Sequence, residues 1–401
     1  MNNIQSFAPF LWKVFQYDMI HKNPKYSENL SAKIIFALRM IAFGFYIINL
    51  LLYFCVLIFN IYYDASDVSK LSFFGIILAC LQIALTKLLL IFKNKEKIRK
   101  IMQKLPANYS KEEEQDFNVS QQLRWCRVPF LMNLLTTFAG IFISFVTPFD
   151  KNIYFNSLKF PLMSNVVVYY FANLWIRTMI IITMSLTIIN ENIIYGLIII
   201  LTVEFRKLKQ KIFEIRAKVS ENARKVAKLR NILPENRNSN HQFVESMPKI
   251  IEIINEHTQL LDIRDDLEDF FAPAFLVNFL CGLICLCTSE ILFLVINDPI
   301  HGAAFLSSGI TQALMFFVQC YYCQQLKDAS LSISDAIYDC KWEEIEDVMI
   351  KKHLLMILIR SQKSKTLTCW KFAENSFELF GSFLASNYSY FTIFRRLYYK
   401  D

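Results

Sequence analysis

Apolar residues in this chain gather into seven long runs, separated by shorter polar stretches rich in Lys and Arg. The runs extend from about Lys33 to Tyr62, Leu71 to Phe92, Cys126 to Thr147, Pro161 to Val203, Phe270 to Ile296, Ala303 to Cys323 and Ser376 to Leu397. Each reaches the roughly 20 residues a helix needs to cross a bilayer. The pattern predicts an all-α polytopic membrane protein with seven transmembrane helices. The fourth run is about twice the length of a crossing, so its helix is expected to continue out of the membrane. The first run has no small-residue cleavage site behind it and reads as a span, with no removable leader expected.

The polar stretches carry structure of their own. Residues 1–32 set Phe7, Phe10, Trp12, Phe15 and Tyr17 between Lys13 and Lys22, as in an amphipathic segment lying on a membrane surface. In residues 204–269, Phe205, Leu208, Ile212, Ile215, Val219, Val226 and Leu229 fall roughly on one helical stripe. A break at 231–247, marked by Pro234, Asn236, Asn238 and Ser239, precedes a second helix that runs into the fifth span. Residues 324–375 hold another short helix, Ile350 to Ile359, too short to span and flanked by Lys351, Lys352, Arg360, Lys363 and Lys365. The two extramembrane segments are expected to pack into one helical anchor domain. The predicted division is therefore 1–32, spans one to four in 33–203, the extension 204–269, spans five and six in 270–323, the anchor region 324–375, and the last span with a short tail in 376–401.

Charge sets the orientation. The amino terminus and the stretches after spans two, four and six hold 34 Lys and Arg, against six on the other side. Without the long 204–267 stretch, which a charge rule for short loops does not cover, the ratio is still 21 to six. The amino terminus is thus expected in the cytoplasm, the anchor domain with it, and the carboxy terminus outside. That is the reverse of a G-protein-coupled receptor.

Composition removes several function classes. At 54% hydrophobic and 15% aromatic residues over 401 positions, the chain is too apolar for a soluble domain of its size. The net charge of +8 sits beside the hydrophobic runs with no nucleic-acid motif, so membrane lipid is the partner expected for it and nucleic acid is not. Most of the ten Cys fall in or near apolar runs, where a Cys behaves as a small hydrophobe. The five His are scattered, and no nucleophile–base order, phosphate loop or paired metal motif accompanies them. Neither an enzyme nor a cofactor nor a metal is expected. His257 lies near Asp262, Asp265, Asp266, Glu268 and Asp269, and is read as part of a solvated helix face.

Candidate ligand contacts lie in the spans. Thr137, Gly140 and Ser144 share a helical face, as do Tyr170, Asn173 and Arg177. Small residues of this kind also serve ordinary helix packing, and both readings stand. Arg177 is a charge at membrane depth, which calls for a partner in the bundle interior. With Phe73, Phe74 and Phe138 these residues suit an aromatic pocket with a few polar groups, fit for a small volatile organic molecule. The last span is unusual in carrying Ser382, Ser386, Asn387, Ser389 and Thr392, either a water-facing side or groups bonded to neighbours and to their own backbone.

Two stretches resemble the insect odorant receptor family. The run SNYSYFTIFRR in the last span is similar to that family's carboxy-terminal signature. The run CYYCQQLKDASLSISDAIYDCKWEE, at Cys320 to Glu344, is similar to its stretch after the sixth span. The resemblance implies a ligand-gated, non-selective cation channel in which an odorant-binding subunit assembles with a shared co-receptor as a heterotetramer, in the plasma membrane of olfactory sensory neurons. It implies a hydrophobic gate at Ile393 and Leu397, with Arg396 beside it where the co-receptor has Gln, and subunit assembly through the region of Tyr338 and Trp342. That Arg, and the absence of the co-receptor's longer fourth-to-fifth loop, point to the odorant-specific subunit. A self-assembling gustatory-type channel is the alternative, and a G-protein-coupled receptor a more distant one.

Overall fold

The computed structural model describes residues 68–104, 174–175, 178, 187, 190–191, 193–214, 247–295, 299–340, 348–363 and 366–398, with isolated helical positions between 44 and 62. The described apolar runs fold as helices because a buried or lipid-facing backbone must satisfy its own amides and carbonyls. In chain order the described helices are α1 (Val68–Lys93), α2 (Lys95–Lys104), α3 (Met247–Val295), α4 (Pro299–Tyr338), α5 (Val348–Ser361) and α6 (Phe377–Tyr398). Residues 193–214 are helical as well. α3 runs 49 residues without interruption, although Pro273 removes the amide that would bond the Asp269 carbonyl. Among the described residues, Pro248–Val295 is long and apolar enough to cross a membrane, and Gly75–Ile91 is a shorter apolar helix.

The chain divides into two compact units, one formed by residues 1–196, 270–320 and 369–401, the other by 197–269 and 321–368. In the second unit four helical segments each turn one stripe inward. Phe205, Leu208 and Ile212 are buried from 197–214, as are Ile253, Ile263 and Leu267 from α3, Leu326, Ile333 and Ile337 from α4, and Ile350, Leu354 and Ile357 from α5. Polar bonds tie the segments pairwise. Arg206 Nη2 donates to Gln325 Oε1 at 2.7 Å, Arg360 Nη1 to Thr258 Oγ1 at 3.3 Å, and the Thr368 amide to Glu268 Oε2 at 2.7 Å. Lys211 pairs with Glu256.

One expectation is overturned here. Asp262, Asp265 and Asp269 do lie in solvent, but His257 is only 1% exposed and Arg264 is buried with it, so the acidic run is the outer face of a helix whose inner face carries both. Three- and four-residue spacing puts His257, Leu261, Arg264 and Leu267 on that inner face, and polar residues there look no different in sequence from those outside. Burial, and then the Arg360 charge, hold the His257 imidazole down at about 4, so it stays neutral. Burial lowers the Arg264 guanidinium against the pull of Asp265 and Glu268, and it raises the Glu268 carboxyl against two hydrogen bonds from Thr368.

In the first unit the core is aromatic. Phe279 of α3, Phe316 of α4 and Phe380 and Phe383 of α6 form one cluster, with ring centroids 4.7 Å apart for Phe316–Phe383 and 5.7 Å for Phe279–Phe316. Gly282 admits the Phe383 ring, whose nearest carbon would lie 3.4 Å from a Cβ there. α3 and α4 meet more closely still at Gly309, where a Cβ would stand 1.9 Å from Ser289 Oγ.

Candidate functional site

α6 starts cleanly. A tight turn precedes it, closed by the Cys369 amide on the Ala373 carbonyl at 2.8 Å, with Trp370 and Lys371 in the left-handed region at φ 47° and 63°. Ser376 caps the helix, its Oγ accepting from the Leu379 amide at 3.3 Å, and Glu378 in the first turn and Arg395 and Arg396 in the last complement the helix dipole.

Very little of α6 is covered by its own chain. Leu379, Phe383 and Asn387 are buried, a strip one residue wide at four-residue spacing, while Phe377, Leu384, Tyr388, Tyr390, Ile393 and Phe394 are exposed. A helix apolar on most of its circumference and packed on one strip has further neighbours to meet.

The covered strip is held by polar bonds as well as rings. At the amino end of α6 Asn278 Nδ2 donates to Gln319 Oε1 and Gln319 Nε2 to Asn375 Oδ1, each at 2.8 Å, and the Cys369 thiol also reaches Asn375 Oδ1 at 3.2 Å. This relay joins α3, α4 and the residue before the α6 cap. At the other end Asn387 Nδ2 donates to Glu290 Oε1 at 2.9 Å, and the Cys287 thiol donates to Asn387 Oδ1 at 2.7 Å. Of the remaining α6 hydroxyls, Ser389 and Thr392 bond back to the carbonyls of Ala385 and Ser389.

A second polar feature lies between α1 and residues 190–191 of the fourth apolar run. Lys87, 1% exposed, and Glu191, 3% exposed, form an ion pair at 2.5 Å. Beside it Asn190 is fully buried with neither amide atom hydrogen-bonded, and Glu191 Oε2 is unpaired too. Cys80 and Cys285 stand 3.9 Å apart, sulfur to sulfur, in the same unit.

Of the residues the sequence singled out, Ile393 is 55% exposed and Arg396 is exposed. Ile393 lies six residues beyond Asn387, about 120° round the helix from it, and its exposure shows that the covered strip does not continue to it. Leu397 follows at i+4 on the same helix, although its side chain lies outside the described residues. Phe73 and Phe74 sit in α1, their side chains likewise not described. Thr137, Phe138, Gly140, Ser144, Tyr170, Asn173, Arg177 and Trp342 lie outside the described residues. Near Arg177, Trp175 Nε1 donates to Asn49 Oδ1 at 3.1 Å. Tyr338 ends α4 and is 72% exposed. Sequence reasoning missed Lys87, Glu191 and Glu290, although each is a lone charge within an apolar run, the same signal that drew attention to Arg177. No group of three or more His, Cys, Asp or Glu fit to hold a metal occurs among the described residues.

The family described as 7tm odorant receptor matches residues 70–388. The chain is 29% identical over 167 residues to odorant receptor 10 of Aedes albopictus and 27% identical over 180 residues to odorant receptor 13a of Drosophila melanogaster. Each match covers 41% of this chain and 42% of the relative. The chain thus spans about two fifths of the length of the curated relatives it matches. In structure it is similar to the insect olfactory receptor OR5 of Machilis hrabei, with a TM-score of 0.78 at 10% identity, over 99% of this chain and all of that one. The same receptor in complex with eugenol gives a TM-score of 0.76.

Proposed function

Because this chain belongs to the 7tm odorant receptor family, a family of multi-pass membrane receptors, we propose that it is the odorant-binding subunit of a ligand-gated, non-selective cation channel that it forms with a shared co-receptor. The observation that carries this reading is the uncovered circumference of α6. Ile393 and Arg396 are exposed, beyond the end of the strip that the chain itself packs. In a heterotetramer those positions face the axis and the neighbouring subunits, and Ile393 with Leu397 closes the path by excluding water.

In this reading the amino terminus is cytoplasmic and the carboxy terminus outside, with 204–269 and 324–375 forming the cytoplasmic anchor. Assembly draws on Tyr338, Trp342 and the exposed apolar face of α5 at Val348, Met349, Met356 and Ile359. The ligand is a small volatile organic molecule held by Phe73, Phe74, Thr137, Phe138, Gly140, Ser144, Tyr170, Asn173 and Arg177. It opens the gate only by its higher affinity for the open form. A ring of four Arg396 would repel cations, and mixing with a co-receptor dilutes that charge, which favours the heteromer over self-assembly. The receptor then works in the plasma membrane of olfactory neurons.

The test is current in cells expressing this chain alone and with an insect co-receptor, under a panel of esters, terpenes and aldehydes. Odorant-evoked current only in the paired cells, persisting with G-protein signalling blocked, is the expected result. Current from the chain alone overturns the heteromer. Within the paired channel, I393A and L397A are expected to raise the odorant-independent current, and an unchanged leak in both removes the gate assignment.

A further inference from the structure

We propose that Glu290, acting through the side-chain amide of Asn387, is a positioning residue for the gate: a latch that holds the outer part of α6 in its closed place. The inference rests on the channel reading above and extends it to two residues that nothing so far assigns.

Asn387 is the last buried residue of α6 among those described; from Tyr388 to Arg396 every side chain is exposed or partly so. Toward the amino end, α6 is held by the Phe279, Phe316, Phe380 and Phe383 rings and by the Asn278–Gln319–Asn375 relay. Past Asn387, the Ser389 and Thr392 hydroxyls bond back to carbonyls of the helix itself. Ile393 stands six residues further on, about 9 Å along the axis at 1.5 Å per residue. Among the described residues, the latch is therefore the last side-chain hydrogen bond from α6 to another helix before the gate.

Its partner is firmly placed. Cys287 and Glu290 lie one turn apart on α3, and Ser289 between them meets Gly309 of α4 at a distance that leaves no room even for a methyl group. The amide of Asn387 is engaged at both atoms, its nitrogen donating to Glu290 and its oxygen accepting from Cys287. When the outer part of α6 moves away from α3, both bonds break. Glu290, whose second carboxylate oxygen is already buried without a partner, then loses its amide donor. Opening must overcome that loss, so the pair weights the resting equilibrium toward closed.

The experiment uses the full chain with a co-receptor and reads the ratio of odorant-independent to maximal current, which is insensitive to expression level, together with the half-maximal odorant concentration. Breaking a hydrogen bond to a charged group is expected to raise that ratio about tenfold in E290L and N387L, and to lower the half-maximal concentration. E290Q, which keeps an acceptor for Asn387, is expected to stay near wild type, and E290L/N387L to match the single variants rather than add to them. If either Leu variant fails to reach the cell surface, N387S, which removes the amide and keeps the helix, is read in its place. Surface-expressed variants with a wild-type ratio and dose response overturn the latch. Lack of odorant-evoked current from the unmutated pair instead overturns the channel reading on which it rests.

Discussion

Lys87→Met isolates the buried ion pair of the first unit. Lys87 and Glu191 are both almost fully enclosed and 2.5 Å apart, so removing the ammonium leaves a carboxylate with neither water nor a countercharge. Losing one member of a buried pair typically costs about 3–5 kcal/mol.

The assay is the fraction of detergent-solubilised protein remaining monodisperse after heating, compared between wild type, K87M, E191M and K87M/E191M. The double variant is expected to recover most of the loss, because an apolar pair replaces a desolvated ionic one. A K87M deficit below about 0.5 kcal/mol, or a double variant as damaged as the sum of the singles, refutes the reasoning.

Two further outcomes follow from other parts of the fold. His257, held neutral at about 4 against 6.5 in an unfolded chain, makes the second unit lose stability as pH falls from about 6.5 to 4, by about 3 kcal/mol in all; hydrogen exchange of residues 247–269 across that range should show the loss, and His257→Leu should flatten it. Gly309→Ala forces a methyl onto Ser289 and is expected to destabilise the first unit by about 1–3 kcal/mol, with S289G/G309A restoring heat resistance; a G309A protein as heat-resistant as wild type would mean the helices separate at no cost.

Element type was legible from the chain because helices in lipid must satisfy their own backbone and therefore announce themselves as apolar runs of fixed length. The last span, the long helix entering the fifth and the short helix near 350–359 all appear where the pattern put them. The stripe Phe205, Leu208 and Ile212 is buried for the same local reason, a 3.6-residue period. The site was less legible. Lys87, Glu191 and Glu290 each announce a need for a partner, but spacing along one helix says nothing of which other helix supplies it. His257 shows the converse: among acidic neighbours it reads as solvated, and only the packing of α3 turned it inward.

The sequence alone determined that this is an all-helical membrane chain and which family its last stretches resemble, since these depend on composition and on periods of a few residues; it did not show that α4 continues past Cys323 to Tyr338. Only the tertiary structure decided the pairings. Lys87 finds Glu191 across 104 residues and Asn387 finds Glu290 across 97. Such partners are chosen by which faces meet when helices pack. The same packing left most of α6 uncovered, because a single strip at Leu379, Phe383 and Asn387 was all its own chain could reach.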